Sequence, residues 1–178
     1  MRHTPLCILR FVADAHLGGL ARLLRMAGFD TLYDNSFDDS EIETIAARQG
    51  RIVLSRDRDL LKRRSITPGC YLHTLKPAQQ LRELFERLDL ARSARPFTLC
   101  LHCNTRLHAI DKTLVLQRIP PRACAFYDHF STCDACQRIF WQGSHWQRRR
   151  ALLDDIALPA GQGVYARREG DSGYPGLD

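Results

Sequence analysis

The stretch ILRFVADAHLGGLARLLRMAGFDTLY, residues 8–33, decides the fold class. Residues 8–13 form a short apolar run typical of a buried strand, and residues 31–33 predict a second, short strand. Between them, apolar side chains recur at helical spacing until Gly28 ends the pattern: Leu17, Leu20, Ala21, Leu24 and Ala27. A strand, a helix and a strand in this order predict a β-α unit of a mostly parallel sheet.

The same alternation continues to residue 90. A helix is predicted from the run Asp38, Asp39, Ser40 to Gly50, because Glu41 and Glu43 follow the candidate caps by three residues in a capping-box pattern. Further strands are predicted at residues 52–54 and 71–75, a short helical or irregular segment at 57–64, and a helix after Pro77. The first half of the chain is therefore an α/β domain.

Composition bounds the size and class of the protein. The chain has 178 residues, 44% hydrophobic and 26% charged, as in globular proteins and unlike collagen-like or wholly disordered chains. That length suits one domain of about 100–150 residues plus a small module. No apolar run reaches the roughly 20 residues of a membrane helix, and Arg10 and Asp14 interrupt the N-terminal stretch that resembles a signal peptide. We expect a cytoplasmic protein without a membrane partner.

The charge is +6, and only three of the 26 basic residues are lysines: Lys62, Lys76 and Lys112. The planar fork of arginine suits phosphate oxygens, so the composition permits a nucleic-acid partner. A codon bias toward GC-rich DNA explains the same skew, and the composition does not choose between the two.

Acidic side chains follow two of the predicted strands. Asp14 comes directly after the first strand, and Asp57 and Asp59 follow the strand at 52–54. Ligands bind outside the carboxyl ends of strands in an open parallel sheet, so these acids, with Asp39 and Glu41 at a helix start, are candidates for one cleft. Such a cluster suits Mg²⁺ or Mn²⁺ and phosphodiester hydrolysis.

Structural explanations for the same acids stay open. Asp14 and Asp39 are also suited to capping a helix, and Glu41 to a helix surface. Asp59 is equally placed to pair with Arg56 or Lys62.

Two C-x2-C pairs predict a structural zinc site with four thiolate ligands: Cys100, Cys103, Cys133 and Cys136. Two disulfides and an iron–sulfur cluster are the alternatives, and the expected reducing compartment disfavours the disulfides. Four thiolates leave no coordination position for water, so this metal would fold the module and not catalyse. Nearby histidines could replace one ligand: His102, His108 and His129.

Four strings together carry a family resemblance: FVADAHLGGLARLLRMAGFDT (residues 11–31), DDSEIETIAARQGRIVLSRDRDLL (38–61), CLHC (100–103) and CDACQRIFWQGSHW (133–146). They resemble the RNase domain named after the C-terminal region of the nematode mut-seven exonuclease, over about residues 9–153. The resemblance implies a PIN-like nuclease fold, a three-layer α/β domain with a mostly parallel sheet, followed by a small zinc ribbon.

The resemblance also implies which acids bind the catalytic metal. Asp14 matches the acid after the family's first strand, and Asp39 matches the acid that opens the helix of the D-x-E-I segment. Asp57 matches the aspartate of the T-x-D signature, and Asp59 matches the acid that often follows it. Ser55 takes the place of the usual threonine and keeps the hydroxyl. Glu41 is an additional candidate, because it lies two residues from Asp39 at a helix start.

The chain is predicted to divide into a PIN-like nuclease domain at residues 1–92, a zinc ribbon with a C-terminal helix at 97–157 and a mobile tail at 158–178. The stretch at 91–96 is rich in Arg, Ser and Ala and ends in Pro, as in a linker, and the last 20 residues hold five glycines and two prolines. Trp141 and Trp146 either cover the core of the ribbon or stack on RNA bases.

We therefore expect a metal-dependent ribonuclease in which the acids hold Mg²⁺ or Mn²⁺ and water attacks the phosphodiester. RNA, in single-stranded form, is the expected partner. Candidate RNA contacts are Arg22, Arg25, Arg56, Arg148 and Arg149. The alternative is a non-catalytic RNA-binding module with a structural zinc ribbon.

Overall fold

Four parallel strands form the main sheet: β1 (Phe11–Ala13), β2 (Thr31–Leu32), β3 (Ile52–Ser55) and β4 (Gly69–Tyr71). Their order is β2-β1-β3-β4. The computed structural model describes residues 9–157, so Ile8 of the predicted first strand and the predicted tail at 158–178 lie outside the described residues. The parallel sheet confirms the predicted α/β class.

The position of β4 differs from the prediction of residues 71–75. Its ladder with β3 ends at the pair of Ser55 and Tyr71, because β3 itself ends there. The chain then turns toward the next helix, where the N–H of His73 donates to a carboxylate oxygen of Glu83 at 3.1 Å. A strand without a neighbour to pair with cannot continue, and this explains the shift.

Helices cover both faces of the sheet: α1 (Gly18–Met26), α2 (Asp39–Gln49), α3 (Arg58–Leu61) and α4 (Pro77–Leu88). Successive side chains of β1 point to opposite faces. Phe11 and Ala13 pack with residues of α1 and α4, whereas Val12 packs with residues of α2 and α3. The resulting three layers confirm the predicted architecture.

Local sequence signals determine where α2 begins and ends. The Asp38 carboxylate accepts the N–H of Glu41 at 2.8 Å, and the Glu41 carboxylate accepts the N–H of Asp38 at 2.9 Å. This is the predicted capping box, in which two otherwise unpaired donors are satisfied. Gly50 ends the helix in the left-handed conformation at φ 60°, which favours glycine.

The chain reverses its winding direction between β1 and β3. α1 leads from β1 to β2 on one side, and α2 carries the chain back over β1 to β3 on the other side. At such a switch point the connections leave the sheet in opposite directions and open a crevice outside the carboxyl ends of the two strands. Asp14 and Asp57 follow these two strands.

A second, antiparallel sheet lies beyond residue 96, with strands β5 (Leu107–Ile110), β6 (Phe130–Cys133) and β7 (Ile139–Trp141) in the order β5-β6-β7. The short helix α5 (Pro121–Phe126) precedes β6. Val115, Ile119 and Phe130 form its small separate core. A core of this size is too small to hold the module together alone, which is consistent with a need for metal.

The last helix, α6 (Ser144–Ala157), returns to the main domain. Leu153 and Ile156 are buried in the core formed with α1 and α4, and Arg82 of α4 forms a salt bridge with Asp155. The sequence predicts this helix as part of the ribbon, and its contacts in the structure also tie the ribbon to the main domain. None of the helices within residues 9–157, α6 included, has both the length and the hydrophobicity of a bilayer-crossing segment.

Candidate functional site

A chain of hydrogen bonds joins two acids at the carboxyl ends of β1 and β3. The backbone N–H of Asp14 donates to Leu54 O at 3.0 Å, which fixes Asp14 beside β3. The hydroxyl of the buried residue Ser55 donates to Asp14 Oδ2 at 2.6 Å and accepts the N–H of Asp57 at 2.8 Å. Ser55 therefore links Asp14 to Asp57, a role for which the sequence offers one signal, a hydroxyl at the end of a strand.

Asp57 and Asp59 have different surroundings. Asp57 Oδ1 accepts the N–H of Asp59 at 2.7 Å and caps α3, and no hydrogen bond from residues 9–157 reaches Asp57 Oδ2. Asp59 instead pairs with Lys62 Nζ at 2.7 Å, and its side chain is 87% exposed. The hydrogen bond from Lys62 holds the pKa of Asp59 below its ordinary value. Of the two acids, Asp57 is linked to Asp14 through Ser55. Asp59 forms the ion pair with Lys62 that is the structural alternative to metal binding.

The two candidate acids of α2 also have partners. The first turn of α2 lies at the carboxyl edge of the sheet, because the helix leads from the end of β2 back to the start of β3. Asp39 Oδ2 accepts a hydrogen bond from Arg63 Nη2 at 2.7 Å, and Arg63 also reaches Glu43 at 3.2 Å. The Glu41 carboxylate is used in the capping box. Arg63 is not among the predicted site residues, because no sequence pattern relates it to Asp39, 24 positions away.

The donor chemistry at this edge fits a hard divalent cation. Carboxylate oxygens are the ligands that Mg²⁺ and Mn²⁺ prefer, and Asp14 Oδ1 and Asp57 Oδ2 accept no hydrogen bond from the described part of the chain. Within that part, however, no three acidic or histidine side chains have ligand atoms within 4.8 Å of one another. The structure brings together two of the four predicted acids and leaves Asp39 and Asp59 with basic partners.

The four predicted cysteines converge, with all their Sγ atoms within 4.8 Å of one another: Cys100, Cys103, Cys133 and Cys136. Sγ of Cys100 and Sγ of Cys136 are 3.7 Å apart. A tetrahedron with Zn–S bonds of about 2.3 Å has edges of about 3.8 Å, so this spacing fits zinc. None of the three nearby histidines belongs to the group within residues 9–157.

The thiols of the cluster ionise unequally. Desolvation opposes ionisation of Cys136, but a backbone hydrogen bond from Arg138 contributes to a lowering of its pKa to about 6, whereas burial raises the pKa of Cys100 and raises that of Cys103 to about 12. Zinc binds the thiolate form, so binding of zinc here would release protons from the cluster. Asn104 and Gln137, each directly after the second cysteine of a pair, have positive φ values of 62° and 57°. The two C-x2-C segments thus form similar knuckles.

The first knuckle is fastened to the main domain by Arg25. The side chain is buried, and its Nε donates to Thr31 O at 2.9 Å. Its Nη1 donates to Leu101 O at 3.2 Å and to His102 O at 2.8 Å, both within the knuckle. Arg25 was a candidate RNA contact, and the structure instead directs its guanidinium at three carbonyl oxygens. The four other candidate arginines are exposed: Arg22, Arg56, Arg148 and Arg149.

Asn104 makes a second connection to the same edge. Its Oδ1 accepts the N–H of Thr31 at 3.0 Å, and its Nδ2 donates to the Asp30 carboxylate. Asp30 also receives Arg51 Nη1 at 2.8 Å and Arg51 Nη2 at 2.9 Å. Burial alone would raise the pKa of Asp30, but the hydrogen bonds from Arg51 and Asn104 lower it below its ordinary value. The knuckle, β2 and the start of β3 therefore form one polar network.

Comparison with protein-family models matches residues 9–153 to the Mut7-C RNAse domain. The chain belongs to the Mut7-C RNase domain family. The matched range includes both the carboxylate edge and the two cysteine pairs, and it confirms the family predicted from the sequence. Comparisons with curated proteins and with solved structures give no match. The family name indicates a nuclease-related role with RNA as the substrate class.

Proposed function

We propose that this Mut7-C family member is a metal-dependent ribonuclease that hydrolyses RNA phosphodiester bonds in the PIN-like manner. The observation that carries the proposal is the hydrogen-bonded sequence Asp14, Ser55, Asp57 at the switch point of the sheet. A switch point is where a ligand fits between strands, and two carboxylates there are suited to a cation and not to a bare phosphate.

Asp14 and Asp57 would hold Mg²⁺ or Mn²⁺ through Asp14 Oδ1 and Asp57 Oδ2, the oxygens that accept no hydrogen bond from residues 9–157. A bound ion of this kind lowers the pKa of water and neutralises charge on the departing oxygen. Ser55 acts as a positioning residue, because its hydroxyl fixes Asp14 Oδ2 and its oxygen fixes the backbone of Asp57. Orientation of ligands by such partners is worth about 10–100-fold in metal affinity or activity.

Asp39 would join Asp14 and Asp57 as a metal-binding carboxylate once it separates from Arg63. Glu41 is the additional candidate acid, and Asp59 would lie at the outside of the carboxylate group. The Asp39–Arg63 pair is half-exposed, so its separation is a small cost in water. The released Arg63 and the exposed Arg56 would then be available to phosphate groups of the substrate.

The zinc module completes the proposed division into a nuclease domain at 1–92 and a ribbon at 97–157. The Sγ spacing supports structural zinc there, and a reducing cytoplasm, the proposed location, would keep the cysteines available to the metal as thiols. The exposed arginines Arg22, Arg148 and Arg149 would assist in holding single-stranded RNA.

The second candidate is a non-catalytic RNA-binding module. The ion pairs of Asp39 with Arg63 and of Asp59 with Lys62 favour it, because two of the four family acids already have basic partners. Such a module would bind RNA without divalent cations, and loss of carboxylates would strengthen its phosphate binding.

Cleavage of a labelled single-stranded RNA in Mn²⁺ separates the two functions. We expect the double variant Asp14→Asn, Asp57→Asn to lose at least about a hundredfold in rate, since ligand loss costs more than loss of an orienting partner. Asp34→Asn, an exposed carboxylate in the loop before α2, is the matched control and should cleave at the wild-type rate. Equal rates for the double variant and the wild type would refute hydrolysis at this edge.

A further inference from the structure

A large groove opens between the ribbon and α6, far along the chain from the carboxylate edge. Its volume is about 1070 Å³. The walls come from α5, β7 and the first turns of α6, and Pro96 and Phe97 of the linker also line it. Its size suits a small segment of a polymer better than it suits a single ion.

The groove is lined by aromatic rings. Six of its lining residues are aromatic: Phe97, Phe126, Tyr127, Phe140, Trp141 and Trp146. Three of these rings are held by packing, since the ring centroids of Trp146 and Phe97 are 4.8 Å apart and those of Trp141 and Phe130 are 6.4 Å apart. Among residues 9–157 no aromatic ring packs on Phe126, which is 77% exposed at the end of α5. A large ring left in water beside other rings is an unpartnered stacking surface.

The charge of the groove has one sign. Arg122, Arg149 and Arg150 line it, and none of the described residues that line it is an aspartate or a glutamate. Arg150 is paired with Asp154 of the same helix, whereas Arg122 and Arg149 make no salt bridge within residues 9–157. Rings flanked by arginines without carboxylates complement a flexible polyanion with flat apolar groups.

We propose that this groove binds unpaired bases of single-stranded RNA, with Phe126 as a stacking platform and Arg122 and Arg149 as phosphate contacts. The inference rests on the proposed function for its substrate class and adds a second site, distinct from the acids that would cleave. Bases in a duplex have their faces covered by neighbours, so the groove selects single strands. It also gives the exposed Phe126 and the ribbon a function in substrate binding.

Binding is measured separately from cleavage in the Asp14→Asn background without added Mg²⁺ or Mn²⁺. The probes are a fluorescent single-stranded RNA of about 12 nucleotides and an abasic strand of equal length and charge. Phe126→Ala should weaken RNA binding at least about fivefold and change abasic-strand binding by less than about twofold, because only stacking is lost. Phe126→Tyr keeps a ring and should restore RNA binding.

Two controls separate the groove from general surface effects. Leu114→Ala removes an equally exposed apolar side chain, 71% exposed, that lies in the same module but outside the groove. It should leave RNA binding unchanged. Arg149→Ala should weaken both probes, whereas Arg48→Ala, an exposed arginine of α2, should weaken them less. Retention of zinc by every variant shows that the module is folded.

The outcomes also distinguish this inference from the proposed catalysis. Wild-type protein that does not cleave RNA, together with the Phe126 pattern above, would refute the hydrolase and leave the groove established. Cleavage by the wild type with unchanged RNA binding in Phe126→Ala would overturn the groove, as would equal binding of the RNA and the abasic strand. If the groove instead binds an apolar protein segment, RNA binding would also be unchanged in Phe126→Ala, and the proposal would be overturned.

Discussion

The cysteine cluster and the carboxylate edge differ in how completely the polypeptide alone assembles them. The four thiols converge, with Cys100 and Cys136 Sγ atoms 3.7 Å apart. At the edge of the main sheet, Ser55 links Asp14 to Asp57, and Asp39 is paired with Arg63. The pKa of Cys136 is lowered but those of Cys100 and Cys103 are raised, so the cluster lacks the mutual repulsion of several like charges, whereas carboxylates need a cation or a basic side chain between them.

The difference matches the roles that we propose, a structural site at the cysteines and a site for chemistry at the carboxylates. A structural site gains from being complete, because every ligand contributes to folding. A site for exchange of ions and substrate gains from open positions and replaceable partners. The cysteine cluster has all four thiols in place, whereas the carboxylate edge has two oxygens that accept no hydrogen bond from residues 9–157 and a half-exposed ion pair that can separate.

The largest expected effect is the loss of one zinc ligand. Cys103→Ser should abolish stoichiometric zinc, measured by elemental analysis, and unfold the sheet of β5, β6 and β7, since structural zinc contributes about 10–16 kcal/mol in small domains. Cys124→Ser changes a cysteine outside the cluster and should retain zinc. Wild-type zinc content in Cys103→Ser would remove the contrast between the two sites.

The next effect concerns the positioning hydroxyl of the carboxylate edge. Ser55→Ala should lower the rate of RNA cleavage by about 10–100-fold and raise the Mn²⁺ concentration for half-maximal rate, because Asp14 loses its orienting donor. Ser55→Thr keeps the hydroxyl and should restore both quantities. A rate loss in Ser55→Thr as large as that in Ser55→Ala would show that the hydroxyl does not position Asp14.

A smaller effect is expected where the cysteine module meets the main sheet. Asn104→Gly permits the positive φ and removes both side-chain hydrogen bonds, so it should lower the free energy of unfolding by about 1–3 kcal/mol. Gln137→Gly makes the same change in the second knuckle. Within the residues described, the Gln137 side chain donates only to the carbonyl oxygen of Asp134. Denaturant titration of both variants measures the difference, and equal losses would contradict a specific junction.

The smallest expected effect is at the exchangeable arginine. Arg63→Ala should lower the Mn²⁺ concentration for half-maximal cleavage by about two- to threefold, because a half-exposed ion pair competes only weakly with a metal. Arg64→Ala removes the same charge from the neighbouring exposed position and serves as the control. Identical Mn²⁺ midpoints in the two variants would mean that Arg63 does not compete for Asp39.

Much of the fold could be predicted because its signals are local. The apolar runs, the capping box at Asp38 and the stop at Gly28 each depend on a few neighbouring residues. Gly28 has φ 91°, and a Cβ there would lie 2.0 Å from Arg95 O, so the stop is also a close contact with the linker. The cysteine spacing was equally informative, since zinc constrains the pattern.

The remaining features depend on distant partners. The end of β4 is determined by the length of β3, and the role of Arg25 by carbonyl groups of the knuckle 76 and 77 residues away. Which acids lie together depends on which of them form ion pairs with basic side chains, as Asp39 does with Arg63. Sequence spacing records none of these contacts, so the acids could be named but their arrangement could not.

The most direct test of the contrast between the two sites is a crystal structure of the protein soaked in Mn²⁺, with anomalous scattering used to identify each ion. The account predicts zinc at the four cysteines before and after the soak, and Mn²⁺ bound by Asp14 and Asp57, with Asp39 turned away from Arg63. Manganese that avoids this edge, or a cysteine cluster without zinc, would contradict the account.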